Sequence, residues 1–290
     1  MLDYAQLAAL AAVHRRGSFD LAAAALSLTP SAISQRLKGL EERMGTLLIR
    51  RGQPCVATVA GLRLIQHFEG VMLLEAALTE GLPTQSPATI RIAVNADSLA
   101  TWVLPALAEV EGMLFDLVID DQDHSQDLLR AGEVSAAITS QPGPLQGCDT
   151  VPLGALRYRA TASPNYMARW MAGGAGRDAL ARAPALTFSD KDGLQRDWIA
   201  AQFGTGAGFA FPTHRIASSQ GFVEAALLGL GWGMNPEPLV AAHLRAGRLL
   251  EVVPDTALDV PLYWQFTRLT GPAIAPLTAA ITRAAARALL

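Results

Sequence analysis

Residues 17–45 read GSFDLAAAALSLTPSAISQRLKGLEERMG, and their punctuation decides the architecture of the N-terminal part. Gly17 ends one helical segment, and Ser18 offers a side-chain oxygen to the first free N–H groups of the next, the alanine-rich run 19–26. Ser27-Leu28 makes a tight break. Thr29-Pro30 then starts a second helix, because threonine caps free backbone N–H groups and proline is tolerated in a first turn. Ile33, Leu37 and Leu40 repeat at helical intervals, leaving Ser31, Ser34, Gln35, Arg36 and Lys38 for the other sides. Ala22, Ala23 and Ala25 permit the two helices to approach closely, with Leu26, Leu28, Ile33 and Leu37 as the apolar seam. Two short helices joined by a break, the second with small and polar outward positions, are what a helix-turn-helix requires. On spacing alone an ordinary helical hairpin fits equally well.

Upstream, Leu7, Leu10, Ala11 and His14 recur at helical spacing and stop at Arg15-Arg16-Gly17. Downstream of Gly45, residues 47–52 and 55–58 read as two short strands around a basic turn, a wing that would place Arg50 and Arg51 near the phosphate backbone or minor groove. Thr58 begins a long helix whose stripe of Leu62, Ile65, Phe68, Met72, Leu73 and Ala76 runs to Gly81-Leu82-Pro83. Its apolar face has no compact domain of its own to bury it, so it reads as a dimerisation helix. Residues 1–58 thus form a winged DNA-reading unit, 59–82 a linker helix, and 83–88 a hinge around Pro83–Pro87.

Beyond the hinge the rhythm changes. Strands at 91–94, 115–119 and 134–138 alternate with helices at 99–110 and 125–131, which argues α/β with a parallel sheet. Further segments follow at 153–162, 186–188, 222–229, 232–234 and 260–266, with a last alanine-rich helix from Ala273 to Ala288. Gly204–Gly208 has neither the spacing nor the lysine of a phosphate-binding loop.

The net charge of -3 conceals a division. Residues 1–88 carry eight Arg/Lys against seven Asp/Glu, and residues 89–290 carry fifteen against nineteen. All eight basic side chains of the first part fall within 15–63, beside only Asp20, Glu41 and Glu42. Such a local basic footprint on an acidic protein suits a small DNA-reading module fused to something else. Near the N-terminus the positive charges follow the apolar stretch, unlike a signal peptide, and the longest apolar runs are too short or too glycine-rich to span a bilayer. With only Cys55 and Cys148, a cytoplasmic protein with free thiols and neither metal nor cofactor is expected.

With these elements placed, the first ninety residues resemble the LysR-type transcriptional regulators. The match comprises Gly17-Ser18-Phe19, Ala22–Leu26, the run Leu28–Glu42, Gly45, Leu47-Leu48, Arg50-Arg51 and Thr58–Gly61. Ile92–Trp102, Asp120–His124, Gln146-Gly147-Cys148, Lys191-Asp192, Ser218–Phe222 and Gly231–Met234 are similar to the branch of that family known as ArgP, IciA or LysG. The resemblance implies a winged helix-turn-helix, a linker helix and a periplasmic-binding-protein-like effector domain over 89–290. Its first subdomain would comprise 89–162 and 268–290, and its second 163–267. It also implies an activator that senses lysine or arginine, controls a basic-amino-acid exporter gene, works as a dimer or tetramer on an interrupted dyad operator, and engages RNA polymerase.

The residues fit such roles chemically. Thr29, Ser31, Ser34, Gln35, Arg36, Lys38, Arg50 and Arg51 are the candidate DNA contacts. Gln35 can bond adenine bidentately, whereas Arg36 and Lys38 suit either groove or phosphate. Glu41 and Glu42 suit local salt links. For the effector, Ser98 at a helix start suits a carboxylate, with Thr101 one turn on. Asp121 and Asp123 follow a buried strand at its C-terminal end and suit positive groups, with Asn95 and Asp97 beside them. Ser218 and Ser219 either contribute from the second subdomain or cap the helix that follows.

Other classes fit less well. His14, His67, His124, His214 and His243 lack a serine elbow, HExxH spacing or a cysteine cluster, so no catalytic residue is assigned and no enzyme is expected. A redox switch would have to join Cys55 in the wing to Cys148 in the effector domain. A LysR-type regulator of another metabolic operon, with another small effector, is the alternative within the family; a stand-alone solute-binding module lacks the export signal it would need.

Overall fold

The computed structural model describes residues 2–78, 87–120, 125–204 and 210–290. The expected hinge residues 83–86, the helix stop at Gly81, the acidic pair Asp121 and Asp123, His124 and most of Gly204–Gly208 lie outside them.

Helix α1 (Tyr4–Arg16) begins at Asp3, whose carboxylate accepts from the N–H groups of Ala5 and Gln6, and ends at Gly17. Helix α2 (Phe19–Ala25) is capped by Ser18, and α3 (Pro30–Met44) by Thr29, whose hydroxyl accepts from Ala32 N at 3.2 Å. Gly45 takes φ +67 at the end of α3, a left-handed conformation that lets its N–H close on the last carbonyls. Ile33, Leu37 and Leu40 face a core built with Leu7, Leu10, Val13, Ala22 and Ala23. Ala25 is exposed, so only two of the three alanines expected at the helix contact lie there.

The wing is a minimal hairpin, β1 (Ile49–Arg50) antiparallel to β2 (Val56–Ala57). Glu41 holds it to α3 by accepting from Leu48 N at 2.8 Å and Ile49 N at 3.3 Å. Helix α4 (Val59–Leu78) follows. Gly61 lets it sit against the wing, since a Cβ there would lie 2.2 Å from the Leu48 carbonyl oxygen.

Two residues of the α4 stripe are covered within the chain, while Leu62, Phe68, Met72 and Ala76 stay half-buried. Ile65 is buried in the N-terminal core, while Leu73, two turns on, is buried in the core of the C-terminal part. Arg15 and the buried Glu69 form an ion pair at 2.6 Å that ties α1 to α4. Burial pushes the Glu69 carboxyl above the usual range, partly opposed by Arg15.

The C-terminal part is built on a mixed sheet, a correction to the all-parallel expectation. Strand β3 (Ala88–Val94) leads into a helical segment of three pieces: α5 (Ala96–Ser98), a π turn over Leu99–Val103, and α6 (Leu104–Ala108). Strand β4 (Met113–Ile119), helix α7 (Ser125–Ala131) and strand β5 (Ala136–Thr139) follow, and both strands run parallel to β3. The long strand β6 (Cys148–Ala162) then leaves this lobe for another. That second lobe holds α8 (Pro164–Trp170), α9 (Arg177–Arg182), β7 (Ala185–Thr187), α10 (Leu194–Phe203), β8 (Thr213–Arg215), α11 (Ser219–Leu227), β9 (Gly233–Pro236), α12 (Glu237–Arg245) and β10 (Leu250–Glu251).

Strand β11 (Leu258–Thr267) returns antiparallel to both β6 and β5, and α13 (Ala275–Ala288) closes the first lobe. The sheet order is β10-β6-β11-β5-β3-β4, with β9 also paired to β6. Two strands therefore carry the chain between lobes. The first half of β6 pairs only with β11, whereas Tyr158–Thr161 pair with β9, and Thr161 and Ala162 with β10. The second lobe packs around Trp198 and Trp232, whose rings lie 5.3 Å apart. No described helix is long and apolar enough to cross a membrane.

Candidate functional site

Two surfaces carry the candidate residues. On α3 the buried stripe leaves Ser31, Gln35 and Lys38 exposed, with Ser34 and Arg36 partly exposed beside them. Thr29 is spent on its cap. Lys38 lies 3.7 Å from Glu42 one turn on, an exposed pair of little energetic weight. Both wing arginines are exposed, and the Arg51 guanidinium stands 5.2 Å over the Phe19 ring, which connects the wing to the start of α2. Glu42 makes the local salt link expected of it; Glu41 instead accepts backbone N–H groups of the wing.

The second surface is a crevice of about 410 Å³ between the two lobes of the C-terminal part. Its first wall comes from the C-terminal ends of β3 and β4, which lie in register with Val94 beside Ile119. A parallel pair delivers the residues after both strands, Asn95 and Asp120, to the same edge. The opposite wall is the segment 188–194 after β7, with Ser219 and Phe222 of α11 and Met234, Asn235 and Pro236 at β9.

The Asp97 carboxylate is gripped from both sides. Its Oδ1 accepts from Ser219 Oγ at 2.6 Å and its Oδ2 from Tyr158 OH at 3.0 Å. Asp192 accepts from the backbone N–H groups of Phe188 at 2.8 Å and Leu194 at 3.1 Å, shaping the far wall. Asp190 pairs with Arg215 at 2.5 Å. Lys191 Nζ bonds Asp120 Oδ1 at 3.2 Å across the crevice. Asn235 is fully buried, gives its Nδ2 to Thr161 Oγ1 at 3.0 Å, and keeps an Oδ1 with no hydrogen-bond partner in the protein.

The structure thus brings together Asn95, Asp97 and Ser219 of the residues selected from sequence. It leaves three of them out. Ser98 is fully buried and its N–H is already bonded by Asn95 Oδ1, because Asn95 and not Ser98 caps the helix. Thr101 turns its hydroxyl back to the Asp97 carbonyl at 2.6 Å. Ser218 is exposed and caps α11 at Gly221 N. Asp121 and Asp123 lie outside the described residues. Sequence reasoning passed over Asp120, Lys191, Asn235 and Tyr158. Asp120 directly follows the strand read at 115–119, a signal that was there to use; Asn235 and Tyr158 sit in strands and carry none.

Chemically the walls offer many acceptors and little positive charge. Asp97, Asp120, Asp190, Asp192 and the Asn235 carbonyl face one cation, Lys191, among the described lining residues. Phe188, Leu194, Phe222 and Met234 add apolar surface between them. Such a cavity suits a small ligand with positive charge and an aliphatic stem.

Comparison with known proteins agrees with this layout. Residues 4–62 match the bacterial regulatory helix-turn-helix model of the lysR family, and residues 84–286 match the LysR substrate binding domain. The transcriptional regulator LysG of Mycobacterium bovis is 45% identical over 98% of this chain and 94% of its own length. The regulator ArgP of Pseudomonas fluorescens Pf-5 is 42% identical over 99% and 97%. Among solved structures, ArgP from Mycobacterium tuberculosis superposes with a TM-score of 0.83 at 43% identity, covering 100% of this chain and 99% of that one. Full-length LysG from Corynebacterium glutamicum with bound effector Arg gives 0.71 at 36%, covering 99% of both. The chain belongs to the LysR family of transcriptional regulators.

Proposed function

We propose that this regulator senses lysine or arginine in the crevice between its effector lobes and, through α3 and the wing, controls a gene for export of a basic amino acid. The observation that carries the ligand class is the excess of acceptors in the walls, four carboxylates and an unpartnered amide oxygen against one lysine among the described residues. An acidic effector would meet repulsion there, and an effector without a hydrogen-bond donor would leave the buried Asn235 oxygen unpaired. The names of the relatives support the same class, as does the arginine bound to the Corynebacterium LysG. On DNA, one α3 per chain reads too few bases for a specific operator, which supports a dimer or dimer of dimers on an interrupted dyad.

The test is calorimetry of the full-length protein with arginine, lysine and norleucine, which lacks only the side-chain charge. Binding of the charged amino acids with norleucine far weaker is the expected result. Equal affinity for norleucine, or no binding of either basic amino acid at millimolar concentration, refutes the ligand class and leaves the family untouched.

A further inference from the structure

Among the described residues, one ion pair joins the two walls of the crevice, Asp120 from the first lobe and Lys191 from the second. Of the other wall carboxylates, Asp97 accepts from Ser219 and Tyr158, Asp192 from backbone N–H groups, and Asp190 pairs with Arg215. Asp120 follows β4 in the first lobe, with its side chain 18% exposed. Lys191 reaches it from the second lobe on a long stem, and its side chain is 52% exposed. A half-exposed lysine pair is weak and screened, so it opens at little cost.

An amino acid also needs an anion site, and the one expected at Ser98 does not open on the crevice, because that residue is fully buried and its N–H is bonded to Asn95 Oδ1 at 3.2 Å. Lys191 is the one cation in the walls among the described residues. A ligand that brings both charges can exchange the protein pair for two pairs of its own and leave neither Asp120 nor Lys191 uncompensated. A diamine without a carboxylate would instead displace Lys191 and give it nothing in return. We propose that the effector inserts into the Asp120–Lys191 pair, its carboxylate on the Lys191 ammonium and one of its positive groups on Asp120. Lys191 is then the residue that distinguishes a basic amino acid from the corresponding amine. This rests on reading the crevice as a basic-amino-acid site.

The experiment titrates arginine and its decarboxylated analogue agmatine into full-length wild type, Lys191→Met and Lys191→Arg. Wild type should prefer arginine by a factor of up to about 5, the range for a half-exposed charge pair of about 1 kcal/mol or less. Lys191→Met should lose that preference, with arginine weakened to the level of agmatine while agmatine still binds, which also shows the variant to be folded. Lys191→Arg should keep the preference. The proposal is overturned if Lys191→Met still prefers arginine, if it loses both ligands alike, or if wild type binds the two equally. Should wild type bind neither arginine nor lysine, the basic-effector reading falls and this one with it; tight arginine binding unaffected by Lys191→Met removes this one alone.

Discussion

Ser219 Oγ donates a 2.6 Å hydrogen bond to Asp97 Oδ1, so the first turn of a helix in one lobe is held by a carboxylate of the other. Tyr158, on the strand that crosses between lobes, donates to the second oxygen of the same carboxylate. Hydrogen bonds to a charged acceptor contribute about 1.5–3 kcal/mol. Ser219→Ala should therefore loosen the closed crevice and weaken effector binding by about tenfold or more, with operator binding in the absence of effector preserved. Calorimetry beside a gel-shift titration checks both, and an unaltered effector affinity would remove the Asp97 clamp from the site.

The tight seat of α4 on the wing makes a second prediction. A Cβ at Gly61 would lie 2.2 Å from the Leu48 carbonyl oxygen and 3.2 Å from Ala57 Cβ, and backbone cannot give way as a flexible side chain would. Gly61→Ala should cost about 1–3 kcal/mol of stability and reduce operator affinity by displacing Arg50 and Arg51. Thermal melting and fluorescence anisotropy on an operator duplex measure the two effects; a variant that melts like wild type would contradict the contact.

Acid should weaken the same joint through His14. Its Nδ1 accepts from Ala57 N of the wing at 3.3 Å, which a protonated ring could not do. Burial pushes its pKa below the ordinary 6.5, and the Arg91 and Arg15 charges push the same way against Glu133. A depressed histidine pKa means that the unfolded chain takes up the proton first. Stability is complete above pH 6.5 and is lost as the pH falls from there through the folded value. Melting curves between about pH 8 and about pH 5 should show a steeper loss for wild type than for His14→Gln. Parallel curves would mean that His14 does not titrate in this way.

How far the sequence led is best judged residue by residue. Ser18, Thr29-Pro30 and Gly45 act within three or four residues of themselves, and so the helix ends they set were legible. The strands at 91–94 and 115–119 were legible from their own apolar runs, although 115–119 is only half-buried and Ile119 is exposed. The antiparallel return of β11 was not, since Trp264 pairs with Ile138 and Val151, more than a hundred residues away, and nothing local encodes that partner. At the crevice, Asn95 took the cap position three residues before Ser98 and so consumed the N–H reserved for a ligand. Asp120 and Lys191 meet only through the packing of two lobes. Local chemistry selected the edge of the sheet that lines the crevice; the identity of the facing side chains was a tertiary property.

On the proposed DNA surface, reading and anchoring should be separable. Gln35 is exposed on α3, where a bidentate bond to one adenine would be worth about 1–3 kcal/mol of discrimination at that base. Arg51 is placed differently: it stands over Phe19 at the wing, and a contact there to the phosphate backbone or minor groove is expected to position the protein, not to read major-groove sequence. Gln35→Ala should therefore relax specificity at one base position and leave the salt dependence of binding unchanged. Arg51→Ala should weaken operator and random duplex together and reduce the slope of log affinity against log salt by about 1. Phe19→Ala should reproduce part of the Arg51→Ala loss, because the ring that positions the guanidinium is gone while its charge remains. Anisotropy titrations over a range of salt concentrations, on an operator and on a scrambled duplex, separate the three variants. Equal losses on both duplexes for Gln35→Ala, or a salt slope untouched by Arg51→Ala, would abolish the division between α3 as reader and the wing as anchor.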